Sequence, residues 1–392
     1  MKRSTDRILV YHAGSLPKPA DIREMVSAKE EGKQYDKDVL ARRLKESVAE
    51  LVQSQIDTGI DFVNDGEQSK SGFSYYIHGR LGGIQERSYS PSDSVLQMDS
   101  SARDRAEFPE YYATRRGRGP RDRRLFWVTD PLVYRGQESI QLDIANLKAA
   151  INGQPYAEAV LPVVAPGSIE HWLRDDYYGN EQDFLFAIAD AMHDEYKAIT
   201  DAGLVVQVDD PDLPHAWQHV VEIGPGWTPR DYQKYAELRV AALNHALRDC
   251  PEDRVIVHFC WGGDGPPSAP HKNDLPLEHV IDVLYQVQAQ AYSIAAANPR
   301  HEWEWVVFES HKLPDGKLLM PGVITQYTDT IEHPELVAQR LIRYANLVGR
   351  ENVCTGSDCG VVSRVSHPSI GWAKFEAMAE GARLATKRLW RT

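Results

Sequence analysis

The sequence predicts an α/β fold, a (β/α)8 TIM barrel with an inserted excursion after the second strand. Three observations predict it. Short runs rich in β-branched and aromatic residues alternate with longer stretches of helical period, the pattern of βαβ units around a parallel sheet. Most of those runs end on polar or metal-capable residues, as the catalytic face of a barrel requires. The composition, 42% hydrophobic, 26% charged and 9% aromatic over 392 residues, is that of an ordinary globular chain and excludes a disordered, collagen-like or coiled-coil one. A doubly wound open sheet fits much the same alternation, so strand order decides between the two.

The strands fall at 8–13, 60–65, 158–165, 204–209, 254–260, 303–309, 318–324 and 352–358. Helical period fills 38–58, 181–202, 228–248, 276–297, 333–348 and 370–389. The run 125–133 is a ninth strand or a hairpin outside the barrel. Residues 85–124 break the rhythm with Ser, Pro, Asp and Arg and no apolar period, so they form the excursion, and 1–392 is otherwise one domain. Within it Arg115, Arg116, Arg118, Arg121, Arg123 and Arg124 make a basic cluster, either a solvated loop or oligomer contact or an anion-binding lid.

Fifty-seven acidic against 44 basic side chains leave a net charge of −13, which argues against a nucleic-acid partner whose phosphates must be neutralised. No apolar run approaches the ~18 residues of a membrane span, and none of signal-peptide length opens the chain, so a cytoplasmic protein is expected. Four cysteines are too few for a secreted disulfide framework of this size. Cys354, in an apolar stretch, and Cys250, after a helix, read as inert.

The strand ends carry the chemistry. The first strand runs into His12-Ala13-Gly14-Ser15, the second into Asp65-Gly66-Glu67, the fourth into Asp209-Asp210, the fifth into His258-Phe259-Cys260, the sixth into Glu309-Ser310-His311 and the eighth into Asp358-Cys359-Gly360. His258 and Cys260 stand two apart on a strand, so both side chains face the same side. With Glu309 and Cys359 they make a nitrogen, sulfur and oxygen set suited to tetrahedral Zn2+, while soft thiolates disfavour Mg2+ and Ca2+. The plainer alternative is that a His-x-Cys pair is core, and that Asp65, Asp209 and Asp210 cap loop amides.

Seven ordered motifs then carry a resemblance that spans nearly the whole chain: GSLPKP at 14–19, GIDFVNDGEQSK at 59–70, QVDDP at 207–211, HFC at 258–260, FES at 308–310, PGVI at 321–324 and SDCG at 357–360. The sequence resembles the catalytic, C-terminal half of cobalamin-independent methionine synthase, and more closely the stand-alone methionine synthase II-like group that includes the epoxyalkane:coenzyme M transferases. The resemblance implies a barrel holding catalytic Zn2+ through His258, Cys260, Glu309 and Cys359. It implies that a metal-bound substrate thiolate attacks an electrophilic carbon, with Glu309 the ligand that loosens when sulfur arrives. It further implies that Ser15, Glu67 and Asp209 hold the amino-acid part of homocysteine, and that Asp358 orients a metal ligand.

Two departures qualify it. The large N-terminal domain that helps bind folate polyglutamate has no counterpart in a chain that opens on the catalytic strand, so a methyl donor other than methyltetrahydrofolate is expected. Where the family places a proton-donating histidine after the PGV motif, Tyr327 stands, either as the catalytic donor of a proton to an alkoxide or leaving group or as an aromatic packed beside the barrel mouth, with His333 six residues on and better placed to open a helix. The expected function is a zinc-dependent thiol alkyltransferase acting on a small-molecule thiol and an electrophilic alkyl donor, with homocysteine methylation first. Alternatives are epoxide opening by a thiol such as coenzyme M, a methyl-carrier role beside a cobalamin or other donor protein, and a purely structural zinc site. Whether the chain forms a homo-oligomer is left open.

Overall fold

The computed structural model describes residues 1–87, 102–114, 125–220, 224–262, 270 and 272–390. Among these, ten strands form two sheets: β1 (Phe62–Asn64), β2 (Leu81–Arg87), β3 (Leu125–Tyr134), β4 (Glu158–Val164), β5 (Leu173–Asp175), β6 (Val205–Asp209), β7 (Val255–Phe259), β8 (Ala291–Ile294), β9 (Leu318–Ile324) and β10 (Gly356–Ser357). The main sheet runs β1-β4-β6-β7-β8-β9-β10, and every neighbouring pair is parallel. A doubly wound sheet reverses its strand order partway, and this one advances in one direction throughout.

Residues 8–13, expected as the first strand, are not a regular strand, but they bond to both edges of the sheet. The Val10 carbonyl accepts from Phe62 N at 3.0 Å, beside β1, and the Leu9 carbonyl accepts from Thr355 N at 2.9 Å, beside β10. The parallel sheet is therefore curled, and its first and last strands are bridged by one segment. Alternation sorts its side chains into two layers. Tyr11, Phe62, Val160, Val205, Ile256, Ala291, Leu318, Met320 and Cys354 fill the concave interior. Val63, Leu161, Val206, Val257, Phe259, Leu319 and Val323 face the surrounding helices. Full burial of each such aliphatic or aromatic group contributes about 1.5–3 kcal/mol.

The helices start where the sequence signals them. Asp36 caps Lys37–Thr58 by accepting from Val39 N at 3.0 Å, and Gly59 ends that helix at φ +90. Thr228 and Asp231 form a reciprocal capping box on Pro229–Ala246. His333 opens Pro334–Val348, its ring nitrogen accepting from Glu335 N.

Strand β3 lies outside the main sheet, antiparallel to β2 and parallel to β5. Two further elements differ from the sequence reading. Residues 303–309 are not a strand: a 3-10 turn over Glu302–Val306 continues into a helical turn, Val307–Ser310. Burial there has helical spacing, with His301, Glu304, Val307 and Phe308 inside while Trp303 is 51% exposed. The strand between β7 and β9 is instead β8, in the segment 276–297 read as a helix, because the alanine-rich stretch Ala291–Ala297 has helical propensity but is wholly buried there. Within 85–124 the described parts after β2 are two helical turns, Ala102–Glu107 and Pro109–Thr114; the arginine cluster at 115–124 lies outside the described residues.

Candidate metal centre and substrate pocket

His258, Cys260 and Cys359 meet at the C-terminal end of the main sheet, each offering one atom, all within 4.8 Å of one another. Period-2 alternation from Ile256 in the interior layer aims His258 and then Cys260 inward. Ladder register sets Ser293 of β8 beside His258, and the Ser293 hydroxyl lies 2.9 Å from His258 Nδ1. That contact fixes the ring and leaves His258 Nε2 buried without a hydrogen-bond partner. Cys359 follows β10, and two glycines bring its turn against the first loop. A Cβ on Gly14 would sit 2.5 Å from Gly360 Cα, and Gly14 holds φ +82, so only glycine permits this approach.

The two thiols act on each other's ionisation. The hydrogen bond from Cys260 holds Cys359 well below the usual thiol range, with Arg364 and His258 adding positive charge, while the same bond and burial push Cys260 up. Burial works against a charge on His258, yet the adjacent Cys359 sulfur and the nearby Asp209 carboxyl raise its pKa on balance. Two cysteine sulfurs and an unpartnered imidazole nitrogen, gathered in the interior, fit a soft divalent cation with nitrogen and sulfur preference.

Around this trio stand buried carboxylates. Asp209 pairs in register with His258, and burial pushes it up to about 7, against the lowering effect of His258. Glu67 is only 4% exposed and also raised by burial, with Lys70 and Lys18 opposing. Its backbone takes φ +55, a left-handed conformation costly outside glycine, held by Glu67 N donating to Asp65 Oδ1 at 3.0 Å. Asp65 thus caps a loop amide, as the plainer sequence alternative anticipates, and Asp210 is bonded by Ser168 at 3.0 Å. The Ser15 hydroxyl lies 2.8 Å from that of Ser363, on the turn after Cys359.

Asp358 has no free oxygen for chemistry. Its Oδ1 accepts from Ala296 N and Ala297 N, both at 2.7 Å, and its Oδ2 from Asn298 Nδ2 at 2.9 Å, which pins the end of β8 beside Cys359. Gly322 leaves the room, since a Cβ there would meet Asp358 Oδ1 at 2.1 Å. The Tyr327 hydroxyl donates to the Gly262 carbonyl and accepts from Arg300, whose guanidinium also lies 4.6 Å from the ring centroid; burial raises its pKa.

Glu309 does not join the cluster. It is exposed on the helical turn Val307–Ser310, and among the described residues the convergent metal-capable set is His258, Cys260 and Cys359. The physical reason is the misread strand: without a ladder at 303–309, residue 309 is not a strand end. Sequence reasoning also missed Ser293, Arg300 and Arg364. Ser293 is legible only through register, and Arg364, five residues beyond Cys359, only through its field on Glu67, Cys260, Cys359 and Tyr327.

No family model matches the chain. A curated methionine synthase from Saccharolobus solfataricus is 23% identical over 380 residues, covering 96% of this chain and 95% of that protein. One from Sulfolobus acidocaldarius is 22% identical over 378 residues, covering 96% and 91%. Among solved structures, a vitamin-B12-independent methionine synthase from a Shewanella species, in complex with selenomethionine, matches with a TM-score of 0.71 at 21% identity, covering 98% of this chain and 99% of that one. The similarity to curated methionine synthases extends over 96% of the chain, and the fold is that of the vitamin-B12-independent methionine synthase from Shewanella. No described helix is long and apolar enough to cross a membrane.

Proposed function

We propose that this chain is a zinc-dependent thiol methyltransferase of methionine synthase type, acting on homocysteine or a closely similar amino-acid thiol. The observation that carries the reading is the convergence of His258, Cys260 and Cys359 within 4.8 Å at the sheet end that also bears Asp209, in register with His258. Zn2+ held by these residues would keep a substrate sulfur as thiolate at neutral pH, ready to attack an electrophilic methyl carbon.

The chain's own groups supply the rest. Ser293 fixes the His258 ring, and Asp358 clamps the β8 end against the Cys359 turn. Burial raises Asp65, Glu67 and Asp209 above the ordinary carboxylate range, and an ammonium group beside them would favour their ionised forms. This favours an amino-acid thiol over a thiol ending in an anion alone. Ser15, between the Gly14–Gly360 contact and Ser363, completes the binding loop. Tyr327 has its hydroxyl proton engaged by a backbone carbonyl, so its role is to hold the Gly262 turn behind Cys260 together with Arg300. The methyl donor in this reading is one other than free methyltetrahydrofolate.

The test is metal analysis of the purified chain followed by methyl transfer from isotopically labelled donors to homocysteine. One zinc per chain, lost in the Cys260→Ser, Cys359→Ser double variant together with methionine formation, is expected. A zinc-free wild-type chain, or full turnover by the double variant, would overturn the reading. Turnover by the isolated chain would also rule out an obligate methyl-carrier protein.

A further inference from the structure

We infer that the protein supplies three ligands to the metal, His258, Cys260 and Cys359, and leaves the fourth place to the incoming thiol, so that Glu309 is not a ligand. The inference rests on the zinc reading above and departs from the four-ligand set that the sequence resemblance implies. Glu309 is exposed, and the turn that carries it packs Val307 and Phe308 inward instead. The place beside Cys260 on the neighbouring strand belongs to another residue: Ala295 N donates to the Phe259 carbonyl at 3.1 Å, so the chain leaving β8 runs alongside Cys260. Ala295, Ala296 and Ala297 occupy that stretch, all buried and none able to ligate.

Two neighbouring carboxylates are bonded to other groups. Asp358 spends both oxygens on Ala296, Ala297 and Asn298. On the other flank Asp209 Oδ1 accepts from Gln207 Nε2 at 2.7 Å, and Asp209 stands outside the convergent set. The consequence is electrostatic. A divalent cation with two thiolates and a neutral imidazole carries no net charge, whereas a carboxylate would add a negative one. A neutral centre with three protein ligands is the arrangement that keeps a position open, and it stabilises an incoming thiolate more than an anionic centre does.

X-ray absorption on the zinc-loaded full chain, without and with homocysteine, together with zinc affinity by chelator competition, tests this. Expected are two sulfur neighbours at rest and three with homocysteine, and a Glu309→Gln variant with the same spectra and unchanged zinc affinity. Loss of a true ligand would weaken zinc by at least the ~10-fold that outer-shell changes cost. Weakened zinc binding in Glu309→Gln would overturn the inference while leaving the zinc reading standing, whereas a sulfur count that stays at two when homocysteine is bound would overturn both. Failure of the wild-type chain to bind zinc would overturn that reading and the inference with it.

Discussion

The Ser293 hydroxyl lies 2.9 Å from Nδ1 of His258, and parallel register between β7 and β8 sets the two residues side by side. One nitrogen is thereby engaged, and the other, buried and without a partner, is left for a ligand. Ser293→Ala should weaken zinc binding by ~10–100-fold, the usual cost of losing an outer-shell orienting group. Chelator competition reads it directly, and an unchanged zinc affinity would show that packing alone holds the ring.

The second prediction separates substrate recognition from metal binding. If Glu67 and Asp209 receive an ammonium group, Glu67→Gln and Asp209→Asn should each raise KM for homocysteine by ~10–100-fold, as expected for hydrogen bonds to a charged group worth about 1.5–3 kcal/mol. KM for 4-mercaptobutyrate, which lacks the amino group, should hardly move. Equal losses with both thiols would place the two carboxylates in the structure of the pocket instead of in recognition.

Much of this site is legible in the sequence because its residues stand at the ends of runs that are strands. Phe62–Asn64, Val205–Asp209 and Val255–Phe259 fall where β-branched and aromatic residues put them, and so Glu67, Asp209, His258 and Cys260 converge. The failure at Glu309 has the opposite cause. The run WEWVVFE has strand composition, but burial at helical spacing wins because the chain must pack His301, Glu304 and Phe308 against the outside of the sheet. Strand β8 was hidden because four buried residues ahead of an alanine run read as helix, and with it went Ser293. Register, glycine contacts and the field of Arg364 are properties of the assembled sheet, which no spacing along the chain reveals.

The Gly14–Gly360 contact gives a third expectation. Gly14→Ala would demand a left-handed residue at φ +82 and a Cβ 2.5 Å from Gly360 Cα, both backbone conflicts with no flexible side chain to yield. Strain of ~1–3 kcal/mol should appear as a lower Tm. Displacement of Ser15 and of the Cys359 turn should abolish homocysteine turnover even where the variant folds. A Gly14→Ala chain with wild-type Tm and activity would mean that the loop and the turn do not meet as described.

Arg364 puts positive charge near Cys359, Cys260 and Glu67. Removing it as Arg364→Met should raise the thiol pKa values of the metal-free protein, because a nearby cation favours the thiolate. Thiolate absorbance near the ultraviolet edge, followed against pH in metal-free protein, should shift to higher pH than in the wild type. An unchanged titration would show that the hydrogen bond between the two cysteines, not the guanidinium, holds the thiolate.

The last expectation concerns stability against pH and centres on Asp210. Burial and the neighbouring Asp212 push its carboxyl up to about 7, one oxygen is bonded by Ser168, and the other is buried without a partner. Its unfolded value is near 3.9, so between about 4 and 7 the folded state holds a proton that the unfolded state lacks. Stability from this group is therefore present at low pH and lost as pH rises toward 7, with little further change above. Asp209, also raised to about 7, adds a contribution of the same sign. The Tm of metal-free protein should fall between pH 5 and pH 8, and Asp210→Asn should flatten that fall, with its advantage over wild type growing toward pH 8. A parallel pH dependence in the two proteins would show that Asp210 is ionised in the fold and paired by a group near it.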